Sequence, residues 1–253
     1  MEWFTTECGK YRIECLSSAT IPGALDVIRV AFCQDETVSR ATEVDKNPIA
    51  TEELLELCAD AALDGTTLVA VEISSGKVVA VCFNKIQVAD STEKPFFEIF
   101  AEERCTQPSS RALVQFMADV DQRVNMFEIY DADCSLELMF LATLKEHRMQ
   151  HLGTLLIKYS IELGKKIKDG PVAKITLEDL GPAYSYMKPK AVITKQPKFC
   201  QALCTTIATQ KLTQKLGFTK HLRIPFTEFV YDGRNYAERL GTDPWCECVS
   251  FKL

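Results

Sequence analysis

The residues of this chain whose types and order can do chemistry gather between Leu136 and Gly164. LELMFLAT reads as a strand, LKEHR as a polar bend, and MQHLGTLLIKYSIELG as the opening of an amphipathic helix. A strand that feeds a helix through a short turn aims unpaired backbone N–H groups and the positive end of the helix dipole at one point. An anion, typically a diphosphate, fits there. Arg148, just before the turn, can add charge, and Gly153 permits close backbone approach. A plain strand-to-helix connection shares this outline. Neither G-x-x-x-x-G-K-[ST] nor G-x-G-x-x-G occurs, which disfavours a nucleotide triphosphatase and a dinucleotide oxidoreductase.

Other reactive types are scattered. The 11 cysteines are odd in number and follow no framework spacing, so they read as reduced thiols. Cys246-x-Cys248 is half of a metal pattern with no second half, and a tail strand with alternating cysteines accounts for it. No metal site is expected. The three histidines are His147, His151 and His221. His147 and His221 show no partner in the sequence. His151 lies in the anion turn, where its ring either donates to a phosphate or stands in solvent. No cysteine has a histidine near it in sequence, which disfavours an acyl-cysteine route.

These groups need a scaffold. Residues 11–16 read as a strand and 21–33 as a helix, left by the polar loop 34–37. A second helix is expected over 51–63, then a hairpin with strands 67–73 and 77–86 around Ser74-Ser75-Gly76. Residues 88–107 read as irregular and 110–125 as a helix. The central strand, 136–143, precedes the helix that starts near Leu152. Residues 169–197 hold four prolines and read as an excursion, with a short strand at 173–177. Strand 199–204, helix 205–216, strands 218–224 and 226–231, and a last strand 246–253 complete the pattern. No repeat or linker divides the chain. One mixed α/β domain over residues 1–253 is expected.

Composition narrows the function. The chain has 253 residues, 47% of them hydrophobic and 25% charged, with a formal net charge of -6. That suits one sizeable core. No basic stripe marks a nucleic-acid surface. The longest apolar runs are strand-sized, and the acidic start lacks a signal-peptide core, so a soluble cytoplasmic protein without a membrane partner is expected.

The stretch from Leu141 to Leu156, LATLKEHRMQHLGTLL, resembles motif A of the GNAT acyltransferase superfamily, roughly L-x-V-x-x-x-x-R-x-x-G-x-G/A-x-x-L. Arg148 falls on its arginine and Gly153 on its second glycine; His151 replaces the first. ALCTTIATQKLTQKLGF (202–218) resembles motif B, with Thr205, Thr206 and Thr209 at or near serine positions of the insect arylalkylamine N-acetyltransferase-like branch and Ala208 at an aromatic one. FVYDGRNYAER (229–239) is similar to a tail of that branch. AFCQDETV (31–38) resembles its F-F-x-D-E-P-L.

The resemblance implies a twisted mixed sheet splayed at its centre, between the strand ending at Thr143 and the strand 199–204, with helices on both faces. It implies acetyl-CoA as co-substrate and a small primary amine, an arylalkylamine or a polyamine, as acceptor. Leu141, Ala142 and Thr143 would meet the pantetheine. Arg148, Met149, Gln150, His151, Leu152, Gly153 and Thr154 would hold the diphosphate, and Thr209 would lie beside the cofactor. Backbone N–H groups near Ala142 would steady the oxyanion. Glu36 falls on the general base, whereas its residue type alone reads as a solvated surface group. An amine is protonated at neutral pH and must lose a proton before it attacks a thioester. A longer acyl-CoA, or a degenerate chain that binds CoA without catalysis, stays open as an alternative.

Overall fold

The computed structural model describes residues 1–89, 94–167, 172–190 and 195–253. The expected excursion at 169–197 therefore lies partly outside the described residues, at 169–171 and 191–194.

An eight-stranded sheet forms the centre, in the order β1-β2-β3-β4-β5-β6-β10-β7. Its strands are β1 (Glu2–Thr5), β2 (Tyr11–Cys15), β3 (Leu68–Glu72), β4 (Val78–Val88), β5 (Cys134–Thr143), β6 (Phe199–Cys204), β7 (Thr219–Pro225) and β10 (Trp245–Lys252). A separate ribbon pairs β8 (Val230–Tyr231) with β9 (Arg234–Asn235). All neighbours in the large sheet run antiparallel except β5 and β6. The central β4 is buried on both faces, which fits its unbroken apolar start VVAVCF.

Helices cover both faces. On one side lie α1 (Ile21–Val27), α2 (Cys33–Asp35), α3 (Thr37–Ala41), α4 (Pro48–Ala62), α5 (Phe96–Glu103), α6 (Pro108–Gln122) and α7 (Met126–Tyr130). On the other, Leu152, Leu156, Ile157 and Ile161 of α8 (Leu152–Lys166) pack on Leu136 and Leu138 of β5. The period of those apolar residues is why this helix was readable in the sequence. The short helices α9 (Leu177–Leu180), α10 (Ile207–Lys215) and α11 (Tyr236–Leu240) complete the set.

Several boundaries differ from expectation. Asn47 caps α4 by accepting from the N–H groups of Ile49 and Ala50, so that helix starts at Pro48. Residues 88–107 contain α5, which buries Phe97, Phe100 and Ala101. The loop 34–37 is two helix ends meeting at Glu36. Residues 173–176 form no strand, and Thr176 instead starts α9 through a capping box with Asp179. The expected strand 226–231 is a 3-10 turn, Phe226–Glu228, followed by β8. The turn places Phe226 and Phe229 in a buried ring cluster with Phe116 and Tyr236.

The described part of the excursion docks along α4. Tyr186 donates its hydroxyl to Glu56 (2.7 Å), and Lys190 pairs with Asp60 (2.7 Å), one helical turn on, and with Asp64 (2.8 Å). Gly65 ends this run at φ 69, where a Cβ would stand 2.2 Å from the Ala173 carbonyl oxygen. Only glycine lets the segment come this close.

Candidate active site

The parallel pair β5–β6 is joined at Ser135, Leu136 and Glu137, opposite Phe199, Cys200 and Gln201, and then parts. Both strands continue, β5 to Thr143 and β6 to Cys204. The opposite edge of β5 stays paired with β4 up to Thr143. A wedge therefore opens where it was expected, with Leu141, Ala142 and Thr143 on one lip and Cys204 on the other. Among the described residues no strand lies beside the edge of β5 that faces the wedge, so it can accept an extended ligand as an added strand.

The turn between β5 and α8 closes the wide end of the wedge. The N–H groups of Leu152, Gly153 and Thr154 find no acceptor among the described residues; the first bond to this end of α8 is Leu155 N–H to the His151 carbonyl. Three free donors at the start of a 15-residue helix make an anion cradle. Met149 and His151 both adopt the left-handed region, at φ 61 and φ 58. His151 thus takes the conformation for which a glycine is usual, at a cost of about 1–2 kcal/mol. Its ring is exposed and makes no cap bond. Met149 is 90% exposed beside it, and Gln150 is exposed as well. Gly153 faces inward: a Cβ there would meet Leu212 of α10 at 3.4 Å and Leu141 at 3.7 Å. It spaces α8 from the far lip of the wedge.

Arg148 is already engaged. Its Nε donates to the Thr143 carbonyl (3.1 Å) and its Nη2 to Asp35 (2.5 Å). It ties the end of β5 to the residue preceding Glu36, so an anion at the turn competes with Asp35 for the guanidinium.

Glu36 is not a loose surface group. It caps α3, with Oε2 accepting from the Ser39 N–H (2.7 Å) and Oε1 from the Thr205 hydroxyl (2.6 Å). Thr205 directly follows β6. The carboxylate thus spans from the helical face to the β6 lip, half-buried. A π-helical turn, Ile28–Phe32, precedes α2 and Glu36, and its Phe32 packs tilted against Phe140 of β5, ring centroids 4.3 Å apart. Such turns often mark functional sites.

Thr209 sits in the first turn of α10, half-buried, its hydroxyl donating to the Thr206 carbonyl (2.9 Å). Lys211 and Lys215 face solvent. Tyr184 and Tyr186 lie on the α4 side with the docked excursion, beside Glu52 and Glu56. His147 and His221 do have partners, Tyr11 (2.9 Å) and Ser250 (2.7 Å), supplied by strands distant in sequence. Every cysteine is a free thiol, and all but Cys8 are buried. Burial pushes Cys33 and Cys82 up to about 12, which leaves them inert as nucleophiles. Among the described residues no three His, Cys, Asp or Glu side chains gather as a metal site. No helix of the described residues is long and apolar enough to cross a membrane.

Solved structures share this architecture. Arylalkylamine N-acetyltransferase 2 from Aedes aegypti superposes with a TM-score of 0.73 at 17% identity, over 96% of this chain and 98% of that one. A polyamine N-acetyltransferase from Drosophila melanogaster, which forms N-acetylagmatine, gives 0.69 at 14% identity, over 96% and 100%. The chain has the GNAT fold. The C-terminal condensation domain of Ebony, solved with beta-alanyl-dopamine, also has this architecture, with a TM-score of 0.62 at 12% identity over 96% and 99%. No family model matches the sequence, and no curated protein does. At such identities the GNAT fold is what the comparisons carry, and chemistry has to be argued from the site.

Proposed function

We propose that the protein is an acyl-CoA-dependent N-acyltransferase that moves an acetyl group from acetyl-CoA to a small primary amine. The observation that carries this reading is the position of Glu36, held by Thr205 at the β6 lip of a wedge whose wide end is closed by an anion cradle. The residues present suit acetyl-CoA. The free edge of Leu141–Thr143 matches the amides of a pantetheine arm, and the N–H groups of Leu152, Gly153 and Thr154 match a diphosphate. Arg148 adds charge once it turns from Asp35. Thr209 borders the same lip.

Glu36 then serves as the base. An ammonium acceptor cannot attack a thioester, so its proton must move first. The two hydrogen bonds that fix Glu36 leave one lone pair on each oxygen for the amine or an intervening water. As the amine attacks, the thioester oxygen gains charge that backbone N–H groups near Ala142 steady. The carbon–sulfur bond breaks, the thiol leaves with a proton, and the acetylated amine departs. No covalent intermediate on the protein is required, which accords with the buried thiols.

Steady-state rates with acetyl-CoA against a panel of phenethylamines, agmatine and spermidine test the reading, with Glu36→Gln alongside. Turnover of at least one amine is expected. The variant should bind acetyl-CoA normally and lose about 10²–10⁴-fold in kcat. Absence of turnover with every amine, together with no calorimetric binding of acetyl-CoA, would sink the proposal.

A further inference from the structure

A cavity of about 1230 Å³ opens at the opposite end of the sheet from Glu36, between the end of β4, the start of β5, and α5, α6 and α7. Neither Glu36, Thr205 nor the turn 148–154 lines it. Its floor is polar. Beneath the lining residues Gln87 and Gln201, Glu137 of β5, 1% exposed, accepts at Oε2 from Gln87 Nε2 (2.8 Å) and Gln201 Nε2 (3.4 Å). A carboxylate only accepts, so both amides turn their NH₂ groups to it and aim their carbonyl oxygens elsewhere. Neither carbonyl oxygen has a donor among the described residues, although Gln201 is only 7% exposed and lines the cavity. The Asp121 carboxylate, half-exposed in the lining, has no donor among the described residues either. None of these oxygens belongs to the buried side-chain atoms that lack a partner; a ligand that displaces water from the cavity gains by offering them donors.

The protein's own cations do not. Lys85 stands opposite Glu137 in the strand register, but its ammonium is held by Asp60 (3.2 Å) and Asp64 (3.6 Å). Lys94 at the rim is held by Glu98 and Glu102, and Lys198 lies at the outer edge near Asp133. From β10, Cys248 faces both acids and Cys246 faces Asp121 as well as Glu36. The floor therefore offers acceptors to a ligand and acid with no ion-pair partner among the described residues, while Met126 and Phe127 make the wall apolar beside Phe96, whose ring already meets the Lys85 ammonium at 3.8 Å. A ligand that complements both halves has several N–H donors, a positive charge and an apolar body.

We propose that this cavity binds an organic amine or guanidine, its cationic head on Asp121, Gln87 and Gln201 and its body against Phe96 and Phe127, at a site separate from Glu36. The inference does not rest on acyl transfer. Binding has a distinctive proton balance. Burial pushes Glu137 up to about 7 and raises Asp121 as well, through burial and the neighbouring Glu137. A cation placed beside them favours the ionised forms, so part of a proton leaves the pair for the buffer as the ligand enters.

The test is calorimetric titration of the whole protein with phenethylamine at pH 6.5, without acyl-CoA, in two buffers of different ionisation heat. 2-Phenylethanol, which keeps the shape and lacks the charge, serves as control. Binding of the amine alone, with proton release shown by the buffer dependence, is expected. Asp121→Asn and Gln201→Met should each weaken it at least fivefold and leave the folded circular dichroism spectrum intact, while Glu36→Gln should leave affinity unchanged. Equal binding of the alcohol, no binding of the amine, or affinity insensitive to both cavity variants but lost in Glu36→Gln would overturn the assignment. The last result would place the amine in the wedge instead. If one cavity variant fails to fold, the other decides.

Discussion

Thr205 and Glu36, 169 positions apart, meet in a 2.6 Å hydrogen bond that joins the β6 lip to the start of α3. The donor is a side-chain hydroxyl, so the link can be cut without touching the backbone. Thr205→Val keeps the shape and removes the donor. It is expected to lower kcat about tenfold, in line with about 1.5 kcal/mol for a hydrogen bond to a charged group, with little change in the KM for acetyl-CoA. Thr205→Ser should restore the rate. Steady-state kinetics on the two variants checks this, and equal loss in both would mean that the methyl group rather than the hydroxyl matters.

His151 is held at φ 58 with no cap bond to offset the strain. His151→Gly should relieve it. Set against the greater freedom of glycine in the unfolded chain, a net gain of about 0.5–1 kcal/mol is expected. His151→Val should destabilise by more than that, since a branched Cβ is poorly tolerated at positive φ. Urea unfolding midpoints compare the three proteins directly.

Arg148→Ala removes a charge from the anion cradle and the bond to Asp35 together. Because the pair is largely exposed and Asp35 competes for the guanidinium, acetyl-CoA affinity should fall by only about 1 kcal/mol. Calorimetry at low and moderate salt measures it. A loss of several kcal/mol would show that Arg148, rather than the N–H groups of α8, carries the phosphate contact.

Glu137 makes stability depend on pH. Its folded pKa, near 7, lies above the unfolded value because burial penalises the charge, and Asp121 is raised too. Stability from such groups is fully present below the unfolded carboxylate range and is lost as pH rises through the folded value. Unfolding free energy should therefore fall between about pH 4.5 and 7.5, by on the order of 3 kcal/mol. Glu137→Gln should flatten much of that slope. Denaturant titrations at four pH values check it, and a rising slope over that window would contradict the assignment.

How much of this was legible in sequence depends on how local each feature is. The strand, turn and helix from Leu136 to Lys166 are contiguous, and their apolar periods give the strand and the helix directly, while an anion site at the turn, left open by the outline alone, was favoured by the resemblance. The wedge followed from the resemblance of two such segments. The partner of Glu36 was not legible: Thr205 stood out only as a replaced serine, and nothing in its neighbours points to residue 36. The positive φ of His151 was hinted at only by its standing where motif A has its first glycine; a histidine's own preferences do not point to it. Helix α5 was missed because Pro95 and the polar residues before it outweighed the short apolar run Phe96–Glu103. The cavity floor joins β4, β5, β6 and α6, so no single window of sequence contains it.

The early parting of β5 from β6 has a consequence for the sheet itself. A sheet interrupted at its centre is lacking one strand, and under the proposed reading the pantetheine arm supplies it. Each catalytic cycle would then rebuild the seam and open it again. The amides of residues 138–143 that face the wedge should exchange with deuterated solvent faster than those of β4 beside them, and slow when CoA is bound. The substrate would be, for the length of one turnover, a piece of secondary structure that the chain does not encode.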